Sequence, residues 1–497
     1  PISDHEGKAL RPSTVISRLK SIFPNMAKES RVLEGKKPIE DIVAPLPTFN
    51  RMISALRKLA PSDKELPRAY EHIYLWFLQQ EEWGQKLEYA RQGLFYTNKE
   101  KPLSQDKVKE MYGNIYYSSV SRLERYASCP FSYYVQYGLK AKERKVFKMG
   151  AMDIGSFLHE VISRFSQSME EAGLDWRTVE DHWWEEQVEL IIEEMIESTP
   201  SLPLRRTKRY HYLKERLARV IKRSIWLIIQ HVRSSGFDPI GYEIAFGEKD
   251  GLPALKLQLP QGDEVVLTGR IDRVDLLESD KGNYIRIIDY KSGSKDFRLS
   301  DVYHGLQLQL ITYLSALWEK GIKGVEGEVL PAGILYLKLD DPIIKLKGKE
   351  EDKDIDREIM KEMKMRGLIL SDVDIAKQMD KNAKGYSDIV PVMIKGDGTL
   401  GKNSAVATLE QFEILREHAK DMLKGILGEM MKGDISISPY KQKKYTSCKF
   451  CLYSSICRFE GDMNSYRIIR DMKEEEVWNR LGKKEEKEGG KVLGEMD

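Results

Sequence analysis

The sequence predicts an α/β fold with a central mixed sheet flanked by helices, preceded by a helical N-terminal region. Three observations predict it. Residues 265–293 contain two runs rich in Val, Ile and Leu on either side of a polar, glycine-containing turn at 278–283, the pattern of a β-hairpin. On both sides of this hairpin, from Gly155 onward and from Leu306 to Trp318, apolar side chains recur at helical spacing. Residues 1 to about 115 are helical by the same criterion.

The N-terminal region contains three predicted helical stretches. Ser13 marks the start of the first, Thr48 marks the start of the second, and the aromatic-rich residues 68–94 form the third. Aromatic side chains can stack on bases, but at helical spacing we interpret these as core residues: Tyr70, Tyr74, Trp76 and Phe77. We therefore expect no catalytic residue in this region.

The hairpin carries charged side chains in a pattern that suits metal-dependent chemistry. Side chains alternate between faces along a strand, so Asp289 and Lys291 share one face while Tyr290 points to the other. Asp272, on the partner strand, can lie on the same face as Asp289. Two carboxylates and a lysine on one rigid surface can bind a hard divalent cation and leave an ammonium beside its bound water, as in a phosphodiesterase. The alternative is an ordinary hairpin with solvent-facing charges, because a D…DxK pattern is short and common.

Further motifs accompany the hairpin in a fixed order along the chain. They are Gly155-x-x-x-His159, Gly269-x-x-Asp272, Asp289-Tyr-Lys291 and Gln309-x-x-x-Tyr313. In this order the motifs resemble those of the RecB-type branch of the PD-(D/E)xK nucleases. The resemblance implies a restriction-endonuclease-like core and the activity of a metal-dependent deoxyribonuclease.

The same resemblance implies a role for each motif residue. A Mg²⁺ ion would be bound by the side chains of His159, Asp272 and Asp289 and by the carbonyl of Tyr290. Lys291 would orient or activate the attacking water. Gln309 and Tyr313 would position the DNA strand or the catalytic side chains.

All four cysteines belong to one pattern. Cys129 stands alone, and Cys448, Cys451 and Cys457 follow far downstream with the spacing C-x2-C-x5-C. Thiolates in this arrangement suit an iron-sulfur centre or Zn²⁺, and four unrelated buried cysteines are the remaining alternative. Residues 118–134, with Cys-Pro-Phe at 129–131, resemble the start of the nuclease domain in the B subunit of bacterial AddAB helicase-nucleases. That resemblance implies that the four cysteines bind a [4Fe-4S] cluster.

A strongly basic run with two interleaved tyrosines spans residues 202–224. Basic side chains neutralise phosphates and aromatic rings stack on bases, a combination that suits single-stranded DNA. The DNA-binding candidates are Arg205, Arg206, Lys208 and Arg209. A solvated helix face is the competing interpretation.

Several shorter segments complete the pattern. Glu243 lies on a predicted strand, where a strand-edge position is favoured over a metal ligand. Residues 396–403 nearly fit a phosphate-binding loop, but Asn replaces the final Ser or Thr and the next capping box begins only at Thr408. We therefore predict a hairpin turn there and no ATP binding. Residues 346–384 are charged, Met-rich and predicted to be helical with mobile loops.

These patterns divide the chain into a helical region at 1–115, a nuclease domain at 116–465 and a charged tail at 466–497 that is expected to be disordered. The 497 residues are 41% apolar and 32% charged, as in a soluble globular protein. No apolar run approaches the ~18 residues of a membrane span and no secretory signal is present, so we expect a cytoplasmic location. The net charge of +2 implies that nucleic-acid binding depends on local clusters. A start at Pro rather than Met suggests a piece of a longer polypeptide.

The family resemblance implies a Mg²⁺-dependent exonuclease that degrades one DNA strand during double-strand-break repair by homologous recombination, beside an ATP-driven A subunit. Two other classes of function remain open. One is a DNA-binding and interaction module with a vestigial nuclease site, against which the intact D…DxK pattern argues. The other is a standalone iron-sulfur exonuclease of the type used in CRISPR adaptation, which would be much shorter and would not need the N-terminal helical region.

Overall fold

A computed structural model describes most of the chain in two compact units, Pro1–Thr97 and Asn98–Asp497. The described residues are 13–25, 42–59, 68–94, 96–113, 115–142, 151–198, 208–247, 252–259, 262, 264–293, 296–322, 324–345, 352–461 and 463–488. The division at residue 97 falls earlier than the boundary near 115 that the sequence suggested. Residues 98–118 are part of the second unit because Tyr116 and Val108 are buried in its core.

The first unit is helical, as predicted. Its helices are α1 (Thr14–Ile22), α2 (Pro45–Leu59), α3 (Arg68–Gln79) and α4 (Glu81–Leu94). Its described core consists of Phe49, Met52, Tyr70, Ile73, Phe77 and Leu87. The interpretation of the aromatic residues as core is therefore confirmed for Tyr70 and Phe77, whereas Trp76 is 47% exposed.

The second unit contains the remaining helices and every described strand. Its helices are α5 (Gln105–Tyr112), α6 (Val120–Ser128), α7 (Pro130–Tyr133), α8 (Ala151–Glu171), α9 (Asp181–Ser198), α10 (Lys208–Arg233), α11 (Leu299–Tyr303), α12 (Gln309–Lys320), α13 (Asp352–Glu362), α14 (Val373–Met379), α15 (Leu409–Met431), α16 (Ser454–Cys457) and α17 (Glu474–Glu488). Its strands are β1 (Ile115–Ser118), β2 (Asp238–Phe246), β3 (Leu255–Gln258), β4 (Glu264–Leu267), β5 (Gly269–Ser279), β6 (Gly282–Lys291), β7 (Val329–Lys338), β8 (Arg366–Leu370), β9 (Gly385–Tyr386), β10 (Met393–Ile394), β11 (Val406–Ala407), β12 (Tyr440–Gln442), β13 (Tyr445–Thr446) and β14 (Arg467–Ile468). No helix among the described residues is long and apolar enough to cross a membrane.

A six-stranded sheet forms the centre of this unit, in the order β11-β8-β7-β6-β5-β2. The pairs β6–β7 and β8–β11 are parallel and the other pairs are antiparallel, so the predicted mixed sheet is confirmed. The central strands are buried on both faces, as Ile287, Ile288, Ile334 and Leu335 show by having no exposed surface. Helix α12 lies against β6 and β7, and α8 contacts β2.

The predicted hairpin is present as β5 and β6, with a shorter turn than the sequence suggested. Only Asp280 and Lys281 connect the two strands. Residues 264–267 form the separate strand β4, which pairs with β1 and β3 in another sheet. The chain passes between the sheets at Thr268, whose backbone N–H donates to the Ser118 carbonyl at 2.8 Å.

Two segments differ from the sequence expectation. Residues 366–370, within the segment predicted to be helical, form β8 because a short Gly-Leu-Ile-Leu run gains hydrogen bonds from both β7 and β11. Such a run is too short for periodicity to separate strand from helix. In the tail, where disorder was expected, residues 474–488 form α17, and Val477 and Leu481 are buried in the main core. Residues 489–497 lie outside the described part of the chain.

The near-match to a phosphate-binding loop forms the predicted hairpin turn. The Lys395 N–H donates to the Thr399 carbonyl at 2.8 Å, and Ile394 bridges to Leu400 in antiparallel fashion. Helix α15 begins only after Thr408, which forms a complete capping box with Gln411. No helix therefore starts at the end of this turn to bind a phosphate.

Candidate metal-dependent active site

Three acidic residues meet where β2, β5 and β6 lie side by side. In the pairing of β5 with β6, Arg273 lies opposite Ile288, and the next pair in that register is Asp272 and Asp289. The pairing of β2 with β5 brings Glu243 to the same level, beside Asp272. Residues opposite each other on paired strands point to the same face, so Asp272 and Asp289 share a face in the structure, as the sequence allowed. Both aspartates are buried.

His159 completes this group from helix α8. Its Nδ1 atom lies 3.5 Å from Glu243 Oε1 and 3.5 Å from Asp272 Oδ1. One ligand atom from each of His159, Glu243 and Asp272 lies within 4.8 Å of the others, the one such group of three or more potential metal ligands among the described residues. The Nε2 atom of His159 lies 3.2 Å from the Tyr290 carbonyl oxygen. Imidazole, carboxylates and a carbonyl are ligand types that bind divalent cations.

The charge distribution of this pocket favours a cation. Burial acts to lower the pKa of His159, but hydrogen bonds with Asp272 and Glu243 outweigh it and raise the pKa to about 10. The protonated ring can donate from both nitrogens, one toward the carboxylates and the other toward the Tyr290 carbonyl. A pocket that stabilises an imidazolium in this way has the negative potential that a divalent ion requires.

Asp289 belongs to an adjoining group rather than to the triad around His159. The Lys291 ammonium contacts its Oδ2 atom. Gln309 Nε2 donates to Asp289 Oδ1 at 3.0 Å and to the Tyr313 hydroxyl at 3.3 Å. Burial, and then the nearby Asp289, raise the pKa of Tyr313, so that its hydroxyl stays protonated. Lys291 and Gln309 therefore both contact one carboxylate at the edge of the metal-ligand group, and Tyr313 contacts Gln309.

Gly269 allows α12 to approach the sheet at this point. A Cβ atom at Gly269 would lie 2.6 Å from the ring of Phe246 and 2.9 Å from the hydroxyl of Tyr313. The first glycine of the Gly-x-x-Asp motif is therefore required for the close packing that brings Tyr313 to the site.

Glu243 is the site residue whose role sequence reasoning underestimated. Glu243 does lie on an edge strand, because β2 is the last strand of the six-stranded sheet, but its side chain also lies against His159 and Asp272, and its Oε2 atom is 3.8 Å from Arg270 Nε. Its backbone has a φ of 48°, which non-glycine residues rarely adopt and which interrupts the regular strand. Local strand patterns do not encode such a dihedral angle. Sequence reasoning could have identified Glu243 from one signal, namely that it is an acidic residue on the strand that pairs with the strand of the Gly-x-x-Asp motif.

A buried ionic triad lies behind the site, on the opposite face of the same strands. Asp275 accepts hydrogen bonds from Arg273 Nη2 at 2.6 Å and from Arg286 Nε at 2.8 Å, and all three side chains are fully buried. Burial favours the protonated carboxyl, but the two guanidiniums outweigh it and lower the pKa of Asp275. Asp275 and Arg286 lie directly opposite each other in the pairing of β5 with β6, so their contact fits this register. A slip of one residue would move Asp272 or Asp289 to the wrong face.

Comparison with known families identifies this arrangement. Residues 117–458 match the model of the PD-(D/E)XK nuclease superfamily, which covers the acidic strands, His159 and α12. The chain belongs to the PD-(D/E)XK nuclease superfamily. It is therefore an enzyme of the nuclease class, and the activity of this class depends on a divalent metal. Residues 34–93 match a second model, the fifth domain of ATP-dependent helicase/deoxyribonuclease AddB.

Three curated relatives have the same name, which describes each of them as the B subunit of an ATP-dependent helicase/deoxyribonuclease. The protein of Acetivibrio thermocellus is 44% identical over 98% of this chain and 43% of its own length. That of Ruminiclostridium cellulolyticum is 45% identical over 96% of this chain and 42% of its own length. That of Clostridium novyi is 46% identical over 98% of this chain and 43% of its own length. The chain thus spans less than half the length of these relatives.

The superfamily match begins before Cys129 and ends just after Cys457, so it includes all four cysteines. Cys129 ends α6, Cys448 and Cys451 lie in and just after a 3₁₀ turn, and Cys457 ends α16. Together they line a cavity of about 210 Å³ with Phe131 and Tyr453. The Ser447 hydroxyl donates to the Ser128 carbonyl at 3.2 Å and fixes the two distant segments together. The structure therefore brings together the four residues that the sequence grouped.

The basic run of this nuclease is only partly described. Arg205 and Arg206 lie outside the described residues, and Lys208 and Arg209 begin α10, where the side chains are not described. Further along α10 the basic side chains pair with acids: Lys214 with Glu193, Lys222 with Glu189, and Arg219 and Arg223 with Asp341. For this part of the helix the solvated-face interpretation fits the contacts. The four DNA-binding candidates remain a prediction.

Proposed function

We propose that this chain is the nuclease part of a helicase-nuclease B subunit, a Mg²⁺-dependent exonuclease that degrades one strand at DNA ends during double-strand-break repair by homologous recombination. The observation that carries the proposal is the group of His159, Glu243 and Asp272 beside Asp289 and Lys291. The relatives' name includes both deoxyribonuclease and ATP-dependent helicase activity. DNA is therefore the proposed substrate, and an ATP-driven A subunit is the proposed partner.

The metal ligands of this proposal come from four different elements. His159, Asp272, Asp289 and the Tyr290 carbonyl are the proposed ligands, and Glu243 adds a further carboxylate. Oxygen-rich ligand sets with carboxylates suit Mg²⁺. When bound, such an ion polarises the phosphate and lowers the pKa of a coordinated water.

The protein's own groups provide orientation around that ion. Lys291, in contact with Asp289, orients the attacking water and adds positive charge where negative charge develops on the phosphate. Gln309 fixes Asp289 through its amide, and Tyr313 fixes Gln309 in turn. Because α12 and β6 are packed rigid elements, these groups are positioned before DNA binds.

The four cysteines support a [4Fe-4S] cluster better than Zn²⁺. Tetrahedral Zn²⁺ with Zn–S bonds of ~2.3 Å requires sulfurs roughly 3.8 Å apart. Among these four described residues, no three sulfurs lie within 4.8 Å of one another. A four-iron cluster separates its thiolates further because each one binds a different iron. We therefore assign the 210 Å³ cavity to that cluster.

Glu243→Gln tests the metal site. This change removes one negative charge without changing side-chain size, so we expect the Mg²⁺ concentration for half-maximal cleavage of a single-stranded oligonucleotide to rise on the order of 10-fold or more. Calorimetric titration with Mn²⁺ should show the same loss of affinity in the absence of DNA. Glu278→Gln, the same change at the exposed end of β5, serves as the control. If Glu243→Gln and Glu278→Gln require the same Mg²⁺ concentration for half-maximal cleavage, Glu243 is not part of the metal site.

The basic run provides a separate test of DNA binding. Replacing Arg205, Arg206, Lys208 and Arg209 with Ala should weaken single-strand binding uniformly across sequences, because phosphate contacts carry no sequence information. The log-log salt slope should flatten by up to ~0.7 for each phosphate that the variant no longer binds. Lys214→Ala with Lys222→Ala is the matched control, since these two lysines pair with α9. If the variant with all four substitutions has the wild-type salt slope, these side chains do not bind phosphates and the solvated-face interpretation is correct.

A further inference from the structure

Helix α12 lacks a capping residue of its own. It carries Gln309 at its first position and Tyr313 one turn later, and its N-cap is Leu308, whose side chain makes no capping hydrogen bond. The first N–H groups of a helix have no partner within the helix, and a leucine side chain cannot accept a hydrogen bond. The acceptor for the start of α12 must therefore come from another part of the fold.

Glu124, on α6, provides that acceptor. Its Oε1 atom accepts the Leu308 N–H at 2.7 Å and the Gln309 N–H at 2.9 Å. These residues are far apart in sequence, and α6 packs against both α12 and α15. A carboxylate at a helix N-terminus is also stabilised by the helix dipole.

The same contact leads directly to the proposed catalytic carboxylate. The backbone of Gln309 binds Glu124, and its side chain donates to Asp289 Oδ1 at 3.0 Å. Glu124 lies on the helix whose C-cap is Cys129, with the Cys129 N–H bonded to the Arg125 carbonyl at 3.1 Å. One side chain therefore joins the segment of the first cysteine to the side chains around Asp289.

We infer that Glu124 is a positioning residue for the nuclease reaction: it fixes the start of α12 so that Gln309 holds Asp289 in its reactive orientation. This inference rests on the proposed assignment of Asp289 and Gln309 to the active site. Glu124 itself acts through the helix terminus and does not contact the reacting atoms. Loss of a capping contact typically changes the folded-to-unfolded ratio by about fivefold, whereas a displacement of about 1 Å at a reacting group can lower the rate ~100-fold. Catalysis should therefore be more sensitive to Glu124 than folding is.

Three substitutions at this position separate capping from charge and from general stability. Glu124→Gln keeps the length of the side chain and one acceptor oxygen, so it can bind the same two N–H groups. Glu124→Asp keeps the charge but shortens the reach, and Glu124→Ala removes the acceptor. Glu110→Ala, an exposed glutamate on α5, is the control for losing a helical carboxylate.

The experiment measures kcat and KM for cleavage of single-stranded DNA, together with iron content and melting temperature. We expect Glu124→Ala and Glu124→Asp to lower kcat by about 10- to 100-fold, with KM within about twofold of wild type and iron content unchanged. Glu124→Gln should retain kcat within about threefold. If Glu124→Ala does not fold, the comparison of the Asp and Gln variants decides the question alone.

Two results would overturn this inference. Glu124→Ala with kcat within twofold of wild type would show that the cap does not position Gln309. A Gln variant as impaired as the Ala variant would show that charge, not the acceptor, matters. Asp289→Ala is included as a reference: an active Asp289→Ala variant refutes the site assignment itself, whereas an inactive one beside a normal Glu124→Ala refutes only the role of Glu124.

Discussion

Asp289→Ala should abolish metal-dependent cleavage of single-stranded DNA while leaving the fold and the iron content intact. Asp289 is buried beside Asp272 and is the one carboxylate in contact with both Lys291 and Gln309 among the described contacts. Its loss would remove a proposed metal ligand and the partner of Lys291, the residue proposed to orient the attacking water. Metal-ion stabilisation of developing charge is worth several kcal/mol, so a drop on the order of 10³-fold or more is expected.

The measurement is single-turnover cleavage of a labelled oligonucleotide with Mg²⁺ or Mn²⁺, beside circular dichroism and iron analysis. Asp289→Asn is the isosteric companion, because an amide oxygen can still accept from Gln309 while the charge is lost. Asp280→Ala, in the exposed two-residue turn of the same hairpin, is the control. Near-normal cleavage by the folded Asp289→Ala protein would exclude the proposed site.

Cys451→Ser is expected to destabilise the fold before it impairs DNA cleavage, because the proposed cluster closes a very long loop. Cys129 precedes the nuclease motifs and Cys448, Cys451 and Cys457 follow them, so coordination encloses about 320 residues. On the chain-entropy model developed for disulfides, closing such a loop lowers the conformational entropy of the unfolded chain by an amount worth about 6 kcal/mol of stability. Metal-ligand bonds add to this, because no preformed site exists in the unfolded chain.

Thermal melting of protein purified without oxygen, with and without iron, measures this effect. For a unit of this size we expect the loss of the cluster to lower Tm by roughly 5–10 °C. Ser455→Ala, at an exposed position on α16, is the control. A Cys451→Ser protein that loses iron but melts at the wild-type temperature and still binds DNA ends would contradict a stabilising role for the cluster.

Side-chain alternation and residue spacing alone predicted much of this molecule. Alternation along one strand was sufficient to put Asp289 and Lys291 on one face, because the period of two is a local property of the backbone. That Asp272 lies on this face too was only allowed by the sequence, and the register of β5 against β6 decided it. The capping box at Thr408 and the turn at 396–403 were predicted for the same reason, since each depends on a few neighbouring residues. The grouping of the four cysteines followed from their spacing and their flanking residues.

Tertiary structure alone decided how elements far apart in sequence combine. Glu243 joins His159 and Asp272 through a positive φ within a strand, and Glu124 caps a helix that begins at residue 309. Helix α17 forms in a charged tail because Val477 and Leu481 pack in the main hydrophobic core. Each of these outcomes depends on a contact with a distant segment. Local propensity and periodicity describe only neighbouring residues, so contacts of this kind are set by the packing of the whole unit.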